Sequence, residues 1–373
     1  MSPKPGNMTL RNILLTFFFQ VFFFNSLELI AQRTTGSKSL TPEEAAASRL
    51  FESDTILHFS LAGKLKELYK DISAKNSYHP ILLQYHEKDG GHISIQLKAK
   101  TRGHFRKMKG MCTQPPLLLD FSKDGSTKNT VFENQSKLKL IVPCQGDDYV
   151  VKEFLCYKVY NLISPHSFRA RLAMVDFVDS LNPAKTESHY CFLLEDEKPM
   201  AARNKSFVWK KKMLKMQSTE ADEFRKMAVF EYLIGNTDWG IPYLQNIVLI
   251  TKDTLILPIP VPYDFDHAGI VDAPYAGPAP ELGISSDLVR LYRGYCENDM
   301  NNFASTFELY NRLKRDIYKV YDSCNLLSPK YVKFVHRFID DFYKTINNKK
   351  QIDSEFGNPC RTEQHVEIKG LKK

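Results

Sequence analysis

Residues 222–266 constrain the fold of this chain more than any other stretch, because they fix an order of elements. Apolar residues recur at helical spacing up to Ile234, and Gly235 follows as a residue typical of a helix C-cap. Two apolar runs, 246–250 and 255–261, then flank a short turn and predict a β-hairpin. The sequence therefore predicts a helix, a polar loop and a hairpin in direct succession.

Polar side chains gather at the ends of these elements. Asp238 lies in the loop after the helix, Asn246 at the entrance of the hairpin, and Asp264 and Asp266 just beyond its exit. A hairpin returns the chain to its starting point, so we expect Asn246 and Asp264 to be neighbours and to share one metal ion. Each residue alone could equally cap a turn, and the two aspartates could bind calcium structurally. The chain order favours a nucleotide or metal site.

The rest of the 373-residue chain predicts an α+β protein with two lobes. Strand patterns dominate to about residue 143, including an alternating run at 92–100 that follows an Asp-Gly-Gly turn. A helix is predicted over 147–162, and the pattern is mainly helical from 285 to 348. The predicted arrangement is a β-rich N-lobe with one helix and a mainly helical C-lobe with a small hairpin.

The N-terminus has the features of an export signal. Lys4 and Arg11 precede an apolar run at 13–24 that is short for a membrane span, which predicts a signal peptide over 1–31. An uncleaved anchor extending through Ile30 is the alternative. Either way we expect an exported protein of the periplasm, the outer-membrane surface or the medium, with no stable membrane span after signal removal. The net charge of +8 is dispersed, and the sequence carries no nucleic-acid motif, so nucleic acid is not expected as a partner.

Seven cysteines are compatible with export but do not form zinc-binding spacings. Cys112 and Cys144 both end predicted strand segments, and we expect them to form a disulfide. Cys156 lies inside the predicted helix and is expected to be a buried, reduced thiol.

Two motifs resemble those of the atypical kinases, a group that includes the CotH-type spore-coat kinases, the Golgi casein-kinase family and, more distantly, HipA. The segment LIGNTD at 233–238 resembles their catalytic loop, and YDFD at 263–266 resembles their metal-binding motif. Together with RGHFR at 102–106 and CTQPP at 112–116, the set resembles a family of exported proteins from Bacteroidota. The resemblance covers roughly residues 80–300.

The resemblance implies a bilobal protein-kinase-like fold. A β-rich N-lobe with a helix like the αC helix of kinases would span 80–196 after an N-terminal extension at 32–79, and the C-lobe would span 197–373. It also implies a nucleotide such as ATP with Mg²⁺ or Mn²⁺, and a protein, glycan or small-molecule acceptor. The implied roles are Asp238 as catalytic base; Asn246, Asp264 and Asp266 as metal ligands; Lys139 on a strand, or Lys137, held by Glu153 as phosphate cation; Arg102, Gly103 and Arg106 at the phosphates; and Glu195 in the hinge beside the adenine.

The sequence thus predicts an exported kinase-like phosphotransferase, with two alternatives. One is a catalytically inactive binding or structural protein of the cell envelope. It is favoured by the eight positions between Asp238 and Asn246, further than in those kinases, and by the scarcity of nucleoside triphosphate outside the cytoplasm. The other is a calcium-stabilised surface module that uses only Asp264 and Asp266.

Overall fold

Strands of alternating burial in the first half of the chain close into a barrel. The computed structural model describes residues 41–362, apart from residues 88, 104, 109, 113 and 122–124. The barrel strands are β1 (Leu57–Gly63), β2 (His79–His86), β3 (His92–Thr101), β4 (Leu117–Phe121), β5 (Lys137–Ile141), β6 (Ala170–Asp179) and β7 (Glu187–Leu194). They are hydrogen-bonded around the barrel in the order β1-β2-β3-β4-β5-β7-β6, and β1 pairs with β6 to close it.

Closure depends on β1, which pairs antiparallel with β2 and parallel with β6. Its sequence LHFSLAG alternates, with Leu57, Phe59 and Leu61 buried and His58 exposed, as expected for a strand with one face on a core. This strand comes from the segment predicted as an N-terminal extension. A closed barrel of mixed strands is not a bilobal protein-kinase fold, so the predicted fold class is wrong.

Two apolar cores meet across the barrel wall. Leu193 and Cys191 of β7 face the barrel interior, whereas Phe192 and Leu194 belong to the second core outside it. This split follows from the alternation of side chains along a strand. The second core also holds the buried apolar residues of the helix α3 (Asp147–Ile163) and of the helical part of the chain. The predicted lobe boundary near 196 stays a prediction.

The helix, loop and hairpin predicted for residues 222–261 are present in that order. A second, three-stranded sheet has the order β10-β9-β8, built from β8 (Phe207–Val208), β9 (Ile247–Thr251) and β10 (Ile259–Pro262). The α-helices in the described residues are α1 (Pro42–Ala46), α2 (Leu65–Lys70), α3 (Asp147–Ile163), α4 (Glu197–Arg203), α5 (Ala221–Ile234), α6 (Ala304–Asp322), α7 (Pro329–Ile346), α8 (Lys349–Glu355) and α9 (Asn358–Thr362). Short 3₁₀ turns cover Arg49–Phe51, Phe105–Lys107, Met216–Ser218, Pro280–Leu282 and Met300–Phe303.

Two disulfides clip loops of the fold. The predicted bond between Cys112 and Cys144 is present, and Cys296 and Cys360 form a second one. Cys156 is a buried free thiol, as predicted. None of the helices in the described part of the chain is long and apolar enough to cross a bilayer. The predicted signal peptide lies outside the described residues.

Candidate functional site

The loop after α5 is fixed by hydrogen bonds that start at the helix end. Gly235 has φ of 68° and ends the helix in a left-handed conformation, which costs glycine little. The side chain of Asn236 then donates to Glu231 (2.9 Å) and accepts from the backbone amide of Asp238 (3.0 Å). Arg293 donates to the carbonyl oxygens of the residues on either side of Asp238. The position of Asp238 is therefore set from both directions.

Asp238 and Asn246 are in direct contact despite the eight positions between them. The Nδ2 group of Asn246 donates to the carbonyl oxygen of Asp238 (2.8 Å) and to its carboxylate Oδ2 (3.0 Å). Gln245 Nε2 lies 3.3 Å from Oδ1 of the same carboxylate. Both bonds of Asn246 use Nδ2, so Oδ1 is the atom of this amide that could bind a cation.

The hairpin β9–β10 brings Asp264 and Asp266 close to Asp238 and Asn246. The backbone amide of Tyr263 donates to the carbonyl oxygen of Asn246 (3.0 Å), which joins the two ends of the hairpin as predicted. Asp264 follows with φ of 66°, and its backbone amide donates to the hydroxyl of Tyr157 on α3 (2.8 Å). Phe265 is fully buried between Tyr157 and Phe230. This aromatic anchor fixes the backbone on which both flanking carboxylates lie.

Arg106 links Asp266 to Glu153 on helix α3. Its guanidinium contacts Asp266 at 2.8 Å and Glu153 on α3 at 2.9 Å, and all three side chains are buried. The expected pairing of Glu153 with Lys139 or Lys137 is therefore wrong, and Lys137 lies instead 3.9 Å from Asp120. The second carboxylate oxygen of Glu153, Oε1, has no hydrogen-bond partner among the described residues.

The acidic side chains of the site have shifted pKa values, in two cases because a neighbouring carboxylate adds to the effect of burial. Burial raises the pKa of Asp264 and the neighbouring Asp266 raises it further, against the effect of Arg106. Burial also raises the pKa of Asp238; His267 and Arg293 lower it, and Asp264 and Asp266 raise it. The pKa of Asp266 shifts the other way: burial raises it, but Arg106, His267 and Tyr275 together lower it by more. Such perturbed carboxylates are typical of functional sites, although structural clusters produce them as well.

Lys139 supplies a cation to the same region. Its ammonium group lies 4.6 Å from the centre of the Tyr263 ring and 5.7 Å from that of Phe168. The pKa of Lys139 is lowered to about 8. Burial is the main cause and Arg102 adds to it, whereas Asp196 and Asp264 oppose the shift. A lysine in this state titrates close to neutral pH and can lose its charge to a change in surroundings.

The other predicted nucleotide residues differ in their surroundings. Glu195 is buried and its carboxylate accepts hydrogen bonds from Arg169 and Arg203. Glu195 therefore belongs to a structural ion cluster with these two arginines, and its carboxylate is not available to a ligand. Gly103 has φ of 82° and open space around its Cα, and Arg102 beside it is half-buried. Arg106, predicted at the phosphates, is occupied by carboxylates.

Sequence reasoning missed three groups that shape the site. Arg293 clamps the loop, Gln245 contacts Asp238, and Tyr157 holds the backbone of Asp264. Gln245 is the neighbour of Asn246 in the sequence, and this adjacency was the one feature that could have indicated its role. Arg293 and Tyr157 lie 55 and 107 positions from Asp238 and Asp264, respectively, and their contacts leave no local pattern in the sequence.

No three His, Cys, Asp or Glu side chains among the described residues come close enough together to hold a metal ion by themselves. No protein-family model matches the chain. No curated protein matches it either.

Proposed function

We propose that the protein is an exported phosphotransferase that moves a phosphoryl group from a nucleotide such as ATP with the help of Mg²⁺ or Mn²⁺. The observation that carries this proposal is the meeting of Asp238, Asn246 and Asp264 at the base of one hairpin. Asp238 is bonded to Asn246, and the backbone of Asn246 is bonded to the residue before Asp264. The two disulfides are compatible with an exported protein.

The donor set fits a cation that is completed by phosphates. Mg²⁺ in nucleotide enzymes is usually bound by one or two carboxylates together with phosphate oxygens, rather than by a cage of protein ligands. Asp264 and the Oδ1 atom of Asn246 would hold it, with Asp266 beside them. A bound cation supplies neutralisation of the charge that develops on the transferred phosphoryl group. It would also relieve the repulsion that raises the pKa of Asp264.

The residues of the chain have distinct parts in this proposal. Asp238, oriented by two amides and half-buried, would accept the proton of the acceptor hydroxyl. Lys139 and Arg102 would bind the phosphates, since a cation near the leaving group stabilises its charge. The acceptor would be a protein, a glycan or a small molecule.

The second candidate is a catalytically inactive envelope protein that binds a nucleotide or serves a structural role. Two contacts favour it. Arg106 already neutralises Asp266 at 2.8 Å. Both oxygens of the Asp238 carboxylate accept hydrogen bonds from Gln245 and Asn246, so an acceptor hydroxyl would have to share or displace one of these bonds. Under this candidate nucleotide binding persists without turnover.

A thermal-shift titration tests the proposal. Purified protein is heated with ATP and with other nucleoside triphosphates, each with and without Mg²⁺ or Mn²⁺. We expect stabilisation that requires the metal, of about 2.7 kcal/mol at a nucleotide concentration 100 times Kd. Asp264→Asn should abolish the metal-dependent part, because the variant would lack the carboxylate charge that is proposed to hold the cation.

A matched variant controls for backbone effects. Asp272 also has a positive φ, 54°, but is exposed, so Asp272→Asn changes the same residue type in a similar backbone and should leave the shift intact. If the wild-type protein shows no shift with any nucleotide at any metal concentration, both candidates fail as nucleotide binders. Binding without phosphate transfer or release would favour the second candidate.

A further inference from the structure

Three consecutive aliphatic side chains project from the turn between β9 and β10. Leu255, Ile256 and Leu257 are 91%, 50% and 53% exposed, and we call residues 255–257 the apolar tip. Runs of three exposed apolar residues are unfavourable in water and usually mark a contact surface. Phe207, which the register of β8 places opposite Thr251, adds a fourth exposed apolar side chain at 45%.

Hydrogen bonds hold the apolar tip outward. The hydroxyl of Thr251 donates to the carbonyl oxygen of Asp253 and accepts from the backbone amide of the same residue. The carboxylate of Asp253 accepts from the backbone amide of Leu255 at 2.9 Å. At the other side, the carbonyl oxygen of Pro258 accepts from Glu220. Because both ends of the turn are bonded, the side chains cannot collapse onto the protein without breaking these contacts.

Two exposed lysines lie beside the apolar tip. Lys252 precedes the turn and is exposed, and Lys205 is exposed just before Phe207. The two neighbouring acidic side chains both accept hydrogen bonds from backbone amides: Asp253 within the turn, and Glu220 at the start of α5. The whole chain carries a net charge of +8. Aliphatic side chains flanked by lysines are complementary to an anionic lipid surface, where the lysines meet headgroups and the side chains enter the acyl boundary.

We propose that the apolar tip docks the protein on an anionic lipid surface. The tip is too small for a stable protein interface, which buries about 800 Å² on each partner. The hairpin also gives the docked molecule an orientation. Asn246 and Asp264 lie at the end of the hairpin opposite to the tip, about 20 Å away at 3.3 Å per residue. A docked molecule therefore keeps the candidate site clear of the bilayer.

Quenching by brominated lipids tests where the chain meets the membrane. Leu255→Trp is compared in the full chain with Leu181→Trp, which replaces a leucine that is 64% exposed at another turn. Both variants are mixed with vesicles of phosphatidylglycerol and brominated phosphatidylcholine, and the wild-type emission from Trp209 and Trp239 is subtracted. We expect at least a twofold loss of the added emission at position 255 and little loss at position 181. The readout is local, so contact of lipid with the apolar segment 13–24 does not imitate it.

Charge reversal tests the electrostatic part. Lys252→Glu in the Leu255→Trp background should weaken binding about thirtyfold, since the reversal changes the charge by two units and each unit near an anionic surface contributes roughly 1 kcal/mol. Equal quenching at positions 181 and 255 would overturn the proposal. A second result would also overturn it: self-association of the wild type in sedimentation that disappears when Leu255, Ile256 and Leu257 are all replaced by serine. The apolar tip would then bind a second copy of the chain rather than lipid.

Discussion

Glu195 and Asp264 are both acidic residues that the sequence places at a nucleotide, and the structure gives them opposite surroundings. Glu195 is 1% exposed, and its two carboxylate oxygens accept hydrogen bonds from Arg169, Arg203 and a backbone amide. Asp264 is half-buried beside Asp266, and the repulsion adds to burial in raising its pKa. In the first arrangement the protein supplies every partner of the carboxylate, whereas in the second two neighbouring carboxylates repel each other, and the proposed cation would relieve that repulsion.

This difference separates structural from functional polar clusters better than burial alone. A buried carboxylate with all its partners supplied by the protein contributes to the fold, and removing it leaves charges without a counter-ion. Carboxylates that repel one another persist only where the surrounding fold enforces them, which is typical of sites that bind a ligand or a proton. The following predictions test whether Glu195 and the residues around Asp264 divide in this way.

The largest effect is expected at Asp238. Asp238→Asn keeps one oxygen that can accept from Asn246 Nδ2 but removes the base, so we expect turnover to fall about 10²- to 10⁴-fold. Nucleotide affinity, measured by calorimetry with Mg²⁺, should change less than threefold, because a base acts on the acceptor. Full turnover in this variant would exclude Asp238 as the base.

Glu195→Gln should act on stability rather than on binding. The amide cannot neutralise Arg169 and Arg203, which are 22% and 13% exposed, and we expect a loss of about 3 kcal/mol in the free energy of unfolding by urea. The exposed pair Lys64 and Glu67 offers a matched control, and Glu67→Gln should give no measurable change. If Glu195→Gln weakened nucleotide binding while leaving stability unchanged, Glu195 would belong to the ligand site.

The pH dependence of stability offers a third test, at the buried carboxylate of Glu231. Burial raises its pKa to about 8, Asn236 opposes the shift, and Asp238 adds to it. Since the folded pKa lies above the ordinary value, the folded state binds the extra proton, and stability falls as pH rises from about 4.5 to about 8. The slope from this group is at most about 1.4 kcal/mol per pH unit.

Glu231→Gln removes the titrating group while its amide oxygen can still accept from Asn236. Urea unfolding at half-unit steps between pH 5 and 8 should therefore show a flatter profile in the variant. Glu308→Gln, on the exposed side of α6, serves as the control and should keep the wild-type slope. An unchanged slope in Glu231→Gln would show that Glu231 is ionised throughout.

Much of the local structure could be predicted from the sequence, because its signals are local. The helix expected over 147–162 is observed over Asp147–Ile163, and the helix expected to end at Ile234 does so. The contact between Asn246 and the Asp264 end of the hairpin follows from hairpin geometry alone. The disulfide between Cys112 and Cys144 followed from their positions at strand ends.

The barrel and the partner of Glu153 could not be predicted in the same way. The parallel pairing of β1 with β6 joins residues that are more than 100 positions apart, and the alternation in LHFSLAG reveals a strand without naming its neighbour. Arg106 lies 160 positions from Asp266 and 47 from Glu153, so no local pattern in the sequence identifies its carboxylate partners. The expected lysine partner of Glu153 came from the resemblance, and the fold did not support it.

The smallest effect is expected at Lys139, where a neighbouring lysine on β5 gives a matched control. Lys139 is half-buried and near Asp264, whereas Lys137 is 48% exposed beside Asp120. Lys139→Met should weaken ATP binding at least about tenfold, since a charge-assisted hydrogen bond contributes roughly 1.5–3 kcal/mol. Lys137→Met should change it less than twofold.

The pH dependence of binding distinguishes a phosphate contact from a packing role of Lys139. Its pKa is lowered to about 8, mainly by burial, so the ammonium group loses its charge as pH rises through this value. ATP affinity of the wild-type protein should therefore fall between pH 7 and 9, and the fall should be absent in Lys139→Met. Because methionine retains the apolar contacts with Tyr263 and Phe168, a variant that kept the pH dependence would place the titrating cation elsewhere. Equal losses of affinity in Lys139→Met and Lys137→Met would show that only the overall charge of the strand matters.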